Sequence, residues 1–211
     1  MAHSLYRGES IGKEAARAQA YAGLKRWNML NGKHVVIAGH GGDIQFLLRQ
    51  GVNPSNIIAC DKKEECRRIA RNFGCLVPKK EISRDIVSTV KWANQERFNL
   101  ASINIDLFST LIRGIPILNS VINLMDDCLW GRPQIYYTFL SGRDRGLGKE
   151  DNEPLPGYSR KAYFKRCTGF SMKEYYSYKS WTPSSEGSPM CTAYLRDVRR
   201  RHVGWQSSNY K

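Results

Sequence analysis

The sequence predicts an α/β fold: a doubly wound, mostly parallel seven-stranded sheet with a C-terminal antiparallel hairpin and helices on both faces. Three observations predict it. Short β-branched apolar runs alternate with helical segments of about 10–15 residues. A glycine-rich loop follows the first apolar run, and the second run ends in an acidic residue. The last part of the chain changes to two strand-like runs around a turn. The length of 211 residues fits one domain, spanning 1–211.

The elements follow in order. Residues 12–30 read as a helix rich in Ala, Lys, Arg and Leu, with Ala16, Ala20, Leu24 and Trp27 on one face. Asn31 and Gly32 stop it. Residues 33–39 are a buried strand. The loop Gly39-His40-Gly41-Gly42-Asp43 leads into a helix over 44–50, carrying Phe46, Leu47 and Leu48. After a turn at Pro54, residues 57–60 are a second buried strand, ending at Asp61. Residues 62–73 form a helix closed by Gly74, and 75–77 a short third strand before Pro78. A helix over 83–94 turns Ile86, Val87 and Val90 inward. Residues 98–105 hold a fourth strand ending at Asp106, 115–129 an apolar helix, and 134–140 a fifth strand. Residues 141–158, rich in Gly, Pro and charge, read as a loop. A short helix over 159–167 precedes strand-like runs at 175–181 and 190–198. The tail from Arg199 is basic.

With 33 Lys+Arg against 19 Asp+Glu, the formal net charge is +14. Such an excess points to a polyanionic partner, nucleic acid first; the plainer reading is a basic protein with no such partner. The charge is uneven, with net +7 falling in residues 141–211. An apolar share of 41% excludes a wholly disordered chain, and there is no heptad or fixed repeat. No apolar run reaches the ~18–20 residues that cross a bilayer, so no membrane association is expected. The first residues show no secretory-signal pattern. Cys60, Cys66, Cys75, Cys128, Cys167 and Cys191 form no C-x-x-C pair. No metal site is expected, and reduced buried thiols in an intracellular compartment, cytoplasm or nucleus, are.

In doubly wound sheets, ligands bind at the carboxyl ends of the strands, where strand order reverses. Gly39, Gly41 and Gly42 permit a sharp turn and a close ligand approach. Asp61, 22 positions after Gly39, can accept both hydroxyls of a ribose. The dinucleotide pattern G-x-G-x-x-G fails at Ile44, and no Gly-Lys-Ser/Thr phosphate loop is present. Val35-Val36-Ile37-Ala38-Gly39-His40-Gly41-Gly42-Asp43, then Ile57-Ile58-Ala59-Cys60-Asp61 and Ile69-Ala70-Arg71-Asn72, resemble the class I S-adenosylmethionine-dependent methyltransferases. The resemblance covers about residues 33–140 and implies S-adenosylmethionine as cofactor. It divides the domain into an N-terminal helical extension (1–32), a cofactor-binding half (33–140), a basic substrate-side half (141–198) and a basic tail (199–211). By resemblance, Gly39 and Gly41 lie under the methionine part, with His40, Gly42 and Asp43 completing the loop. Asp61 holds the ribose hydroxyls, and Lys62 flanks the adenine. The sequence departs from the family's V-L-D-x-G-x-G-x-G in two places: Ile37 stands at the acidic position and Asp43 replaces the last glycine.

The fourth strand ends in Asn104-Ile105-Asp106-Leu107, where amino-group methyltransferases of this family carry Asp/Asn/Ser-Pro-Pro-aromatic. Asn104 and Asp106 are the catalytic candidates implied, aligning an acceptor lone pair with the methyl group. The other reading is that both simply end a strand and cap the next segment. Of the Lys-Asp-Lys-Glu set used in ribose 2′-O methylation, only Lys25 and Asp106 are suggested. A Pro-Cys nucleophile is absent.

Arg143, Arg145 and Lys149 lie in the loop after the fifth strand, and Arg160, Lys161, Lys165 and Arg166 in the next helix. These cations suit phosphates. Tyr158, Tyr163, Tyr175, Tyr176, Tyr178 and Trp181 are interleaved with them and suit base stacking, or else fill the core of the last strands. The expectation is a methyltransferase acting on nucleic acid, DNA or RNA. The alternative is a catalytically inactive methyltransferase-like domain that binds nucleic acid or builds a larger assembly with a protein partner.

Overall fold

The computed structural model describes residues 11–26, 28–126, 133–140, 160–169, 174–182 and 185–195. Its strands grow from the apolar runs: β1 (Lys33–Ile37), β2 (Ile57–Cys60), β3 (Leu100–Thr110), β4 (Gln134–Leu140), β5 (Glu174–Thr182) and β6 (Ser185–Leu195). They form one sheet in the order β2-β1-β3-β4-β6-β5. The first four are mutually parallel. β6 runs antiparallel to both β4 and β5.

The helices are α1 (Ile11–Arg26), α2 (Gly42–Arg49), α3 (Glu64–Asn72), α4 (Ile86–Gln95), α5 (Leu111–Asp126) and α6 (Arg160–Thr168). The period-2 alternation of strand side chains divides them into two layers. Val36, Ala38, Ile57, Ala59 and Tyr136 pack with Tyr21, Leu24, Ile44 and Leu47 under α1, α2 and α3. Val35, Ile58, Ile103, Ile105, Ile135 and Phe139 pack with Val90, Leu118, Val121 and Phe164 under α4, α5 and α6. Both faces of the sheet are covered, which is why apolar residues follow one another without alternation over Val35–Ile37 in β1 and Ile57–Cys60 in β2.

Two expectations are corrected. Six strands, not seven, stand among the described residues. The segment read as a third strand reaches the sheet only as a single parallel bridge, Ile58 to Leu76. Leu76 donates to the Ile57 carbonyl and accepts from the Ala59 amide, both at 2.9 Å. Pro78 then offers no N–H to extend the ladder. The second correction is that α5 starts at Leu111, directly from β3, with Pro116 inside it. Burial of Leu111 and Ile115 outweighs the one backbone bond that proline gives up. Of the segment expected as the last strand, residues 196–198 lie outside the described residues.

β1 has β2 on one side and β3 on the other, so strand order reverses between β1 and β3. That places a crevice at their carboxyl ends. Among the described residues, no helix is long and apolar enough to cross a membrane, and no cluster of His, Cys, Asp and Glu could hold a metal ion. Cys60, Cys66 and Cys75 are buried free thiols.

Candidate active site

The glycine loop leaves β1 at this crevice. The Ala38 amide donates to the Cys60 carbonyl at 2.8 Å, holding the loop's start against β2. Gly39 (φ 48°) and Gly41 (φ 89°) both take left-handed backbone, which side-chain-bearing residues rarely adopt. Gly41 caps α2, and Gly42 is its first residue. His40 is exposed on the loop.

Asp61 lies at the end of β2 and is fixed from four directions. Its Oδ2 accepts from the Gly39 amide and its Oδ1 from the Lys63 amide, each at 2.9 Å. Its own amide donates to the Ser83 carbonyl at 2.8 Å. The buried Arg67 guanidinium donates to the carbonyls of Asp61 and Lys62 and to the Glu64 carboxylate. Hydrogen bonds from Arg71 and Arg67 pull the exposed Glu64 carboxyl down to about 2. Lys62 is exposed beside this turn.

Asn104 and Asp106 alternate along β3 and so share one face, the face covered by α1. Asn104 is buried and Asp106 half-buried. Across from them, α1 lays Lys13, Arg17 and Tyr21 along one stripe at i, i+4, i+8. Lys13 Nζ meets Asp106 Oδ2 at 2.8 Å. Arg17 Nε donates to Asp43 Oδ1 at 2.9 Å, deep in the crevice. Burial lowers the Lys13 pKa, but the Asp106 and Asp43 carboxylates outweigh it and the net shift is upward. The crevice is a small cleft of about 20 Å³, lined by these side chains with Tyr136, Thr138 and Thr192. Ile37 packs on the opposite face. The carboxylate inside the crevice near the loop therefore comes from Asp43, on the first turn of α2.

No protein-family model matches the chain, and no curated protein matches it. Solved structures do. A Pyrococcus horikoshii protein provisionally assigned as an RNA methyltransferase superposes with a TM-score of 0.53 at 15% identity, covering 92% of this chain and 89% of that one. An S-adenosylmethionine-dependent methyltransferase from Anabaena variabilis gives 0.53 at 14% identity, covering 92% and 90%. The chain has the class I methyltransferase fold.

Within this methyltransferase fold, the structure brings Gly39, Gly41, Gly42, Asp43, Asn104 and Asp106 to the reversal of strand order, and the Gly39–Asp61 bond ties Asp61 to them. Lys25, suggested as a partner for Asp106, is exposed, and Lys13 pairs with that carboxylate instead. Arg143, Arg145 and Lys149 lie outside the described residues. Arg160 and Lys161 open α6, and Lys165 and Arg166 are exposed on it. α6 packs against α5, with the Asn119 amide donating to the Cys167 carbonyl at 3.0 Å, so it lies across the sheet from α1.

Sequence reasoning missed Lys13, Arg17, Tyr21 and Arg67. The first three had a signal in their spacing, which continues into the buried Leu24. Arg67 had none, because a lone arginine in a charged helix reads as a solvated one.

Proposed function

We propose that the protein is an S-adenosylmethionine-dependent methyltransferase acting on nucleic acid. The observation that carries the reading is the 2.9 Å bond from the Gly39 amide to Asp61 Oδ2, which joins the glycine loop and the acidic strand end into one cradle. The cofactor fits that cradle. A Cβ at Gly39 would meet nothing within 4 Å, so the loop faces open space where the methionine part would lie. Each Asp61 carboxylate oxygen accepts one backbone bond and keeps a lone pair for a ribose hydroxyl.

S-adenosylmethionine, when bound, supplies a methyl group on a positively charged sulfur. The protein's part is orientation and charge. Asn104 and Asp106 face the crevice from β3 and hold the acceptor nitrogen in line. Asp106, which Lys13 holds in place at 2.8 Å, faces the same crevice and would be the carboxylate nearest to take up the proton an acceptor nitrogen gives up on methylation. The net charge of +14 supports a polyanionic substrate. The neighbour from Pyrococcus horikoshii is provisionally assigned to RNA, which fits the same direction.

A specific observation favours a second reading. The pairs Lys13–Asp106 and Arg17–Asp43 fill part of the crevice with the chain's own charges. A non-catalytic nucleic-acid-binding subunit would tolerate that. Radiolabelled methyl transfer onto a panel of DNA, RNA and protein separates the two. Label on nucleic acid supports the methyltransferase; nucleic-acid binding without any transfer supports the second reading.

A further inference from the structure

Arg67 is 1% exposed, although α3 also carries Glu64, Glu65, Arg68 and Arg71, all of them exposed. It sits among the buried positions of the helix, with Cys66 and Ala70. An arginine is almost never buried to this extent unless its donors are partnered. The donors of Arg67 turn to the strand end after β2. Nη1 donates to the Asp61 carbonyl and, at 3.0 Å, to the Lys62 carbonyl. Nε donates to Glu64 Oε2 at 3.0 Å, and Nη2 donates to the same oxygen. Arg71 Nη1 donates to the other Glu64 oxygen at 2.7 Å, which steadies that carboxylate. The Lys62 carbonyl belongs to the same planar peptide group as the Lys63 amide. That amide is the donor to Asp61 Oδ1 at 2.9 Å. One rigid group therefore links the guanidinium to the Asp61 carboxylate.

We infer that Arg67 is a positioning residue for the cofactor: through the Lys62–Lys63 peptide group it orients the Asp61 carboxylate, and so sets how tightly a ribose diol is held. The inference rests on the methyltransferase reading and deepens it by naming what controls cofactor affinity. Energetics argue against a role in packing alone. An apolar side chain of similar length would fill the space beside Cys66 and Ala70 without desolvating a guanidinium, and such exchanges are often neutral or stabilising. What an apolar residue cannot do is hold the carbonyls of Asp61 and Lys62. Geometry argues likewise. A diol presents two hydroxyls at a fixed spacing, so both carboxylate oxygens must be held in place to meet them. Hydrogen bonds in such a chain also polarise one another, so the Arg67 bond to the Lys62 carbonyl strengthens the Lys63 amide as a donor to Asp61. A lysine ammonium is a point charge on a flexible stem and does not reproduce this planar fork.

The test uses two probes, S-adenosylhomocysteine and its 2′-deoxy analogue, measured by calorimetry. The wild type is expected to bind the ribose form about tenfold more tightly. Arg67→Lys keeps the charge and loses the fork. It is expected to bind S-adenosylhomocysteine about tenfold more weakly and the 2′-deoxy analogue only slightly more weakly, so the preference for ribose collapses. A merely structural role would weaken both probes alike and leave the preference intact. Glu64→Gln, at an exposed site, loosens the same fork and is expected to shift the preference in the same direction. It decides the matter if Arg67→Lys does not fold. A preference unchanged in the folded variants overturns the inference while leaving the methyltransferase reading intact. A folded wild type that does not bind S-adenosylhomocysteine, or that binds the two probes equally, overturns the cradle and the inference with it.

Discussion

Arg17 on α1 and Asp43 on the first turn of α2 form a buried ion pair, with Nε donating to Oδ1 at 2.9 Å and both side chains less than a tenth exposed. It anchors the N-terminal helix over the crevice. Removing one partner leaves an uncompensated buried charge and costs about 3–5 kcal/mol. Arg17→Met and Asp43→Leu are each expected to lose that much in urea unfolding. The double variant is expected to lose much less than their sum. Strict additivity would show that the two charges do not depend on each other.

His34 gives the fold a pH dependence. It is buried on β1, with Nδ1 2.8 Å from the Ser102 hydroxyl and no partner for Nε2 among the described residues. Burial lowers its pKa from 6.5 to about 4, against a smaller opposing effect of the Leu30 backbone. The unfolded chain takes up a proton near pH 6.5 and the folded chain does not. Stability from this group is therefore complete above pH 6.5 and lost as pH falls toward 4, by roughly 3 kcal/mol at most. His34→Asn is expected to flatten the stability curve across that window. An unchanged curve would place the titration elsewhere.

Gly114 sits in the first turn of α5 where a methyl group would overlap the Tyr137 hydroxyl. Tyr137 donates to the Leu111 carbonyl at 3.3 Å, so the ring cannot simply turn aside. Alanine is the better helix former by about 1 kcal/mol. Gly114→Ala is nonetheless expected to lower stability by about 1–3 kcal/mol, because overpacking outweighs propensity. A raised Tm would contradict this.

Nucleic-acid binding is expected to depend on Arg143 and Arg145. Removing one cation from a phosphate flattens the slope of log affinity against log salt by about 0.7–0.9. Neutralising both arginines is expected to change the slope by about 1.5. Equal slopes for wild type and variant would remove these residues from the interface.

β1 and β2 were legible because each holds a short run rich in β-branched residues, and β4 was read to the residue, whereas β3, read over 98–105, runs on to Thr110. The cradle was legible because glycines and an acidic strand end are local signals. The third strand was not, because a sequence of three apolar residues does not reveal that only Leu76 would pair. The charge pairs of α1 were not, because they join residues far apart in the chain, such as Arg17 to Asp43 across 26 positions. The spacing sets Lys13 and Arg17 on the stripe of Tyr21 and Leu24, but spacing along one helix does not name a partner on β3 or α2.

The central claim is that the Gly39–Asp61 cradle holds a nucleoside cofactor, and calorimetry of S-adenosylmethionine binding to wild type and Asp61→Ala tests it most directly. The account predicts binding to the wild type, and its loss in a variant whose melting curve shows an intact fold. Equal affinity for both proteins would contradict it.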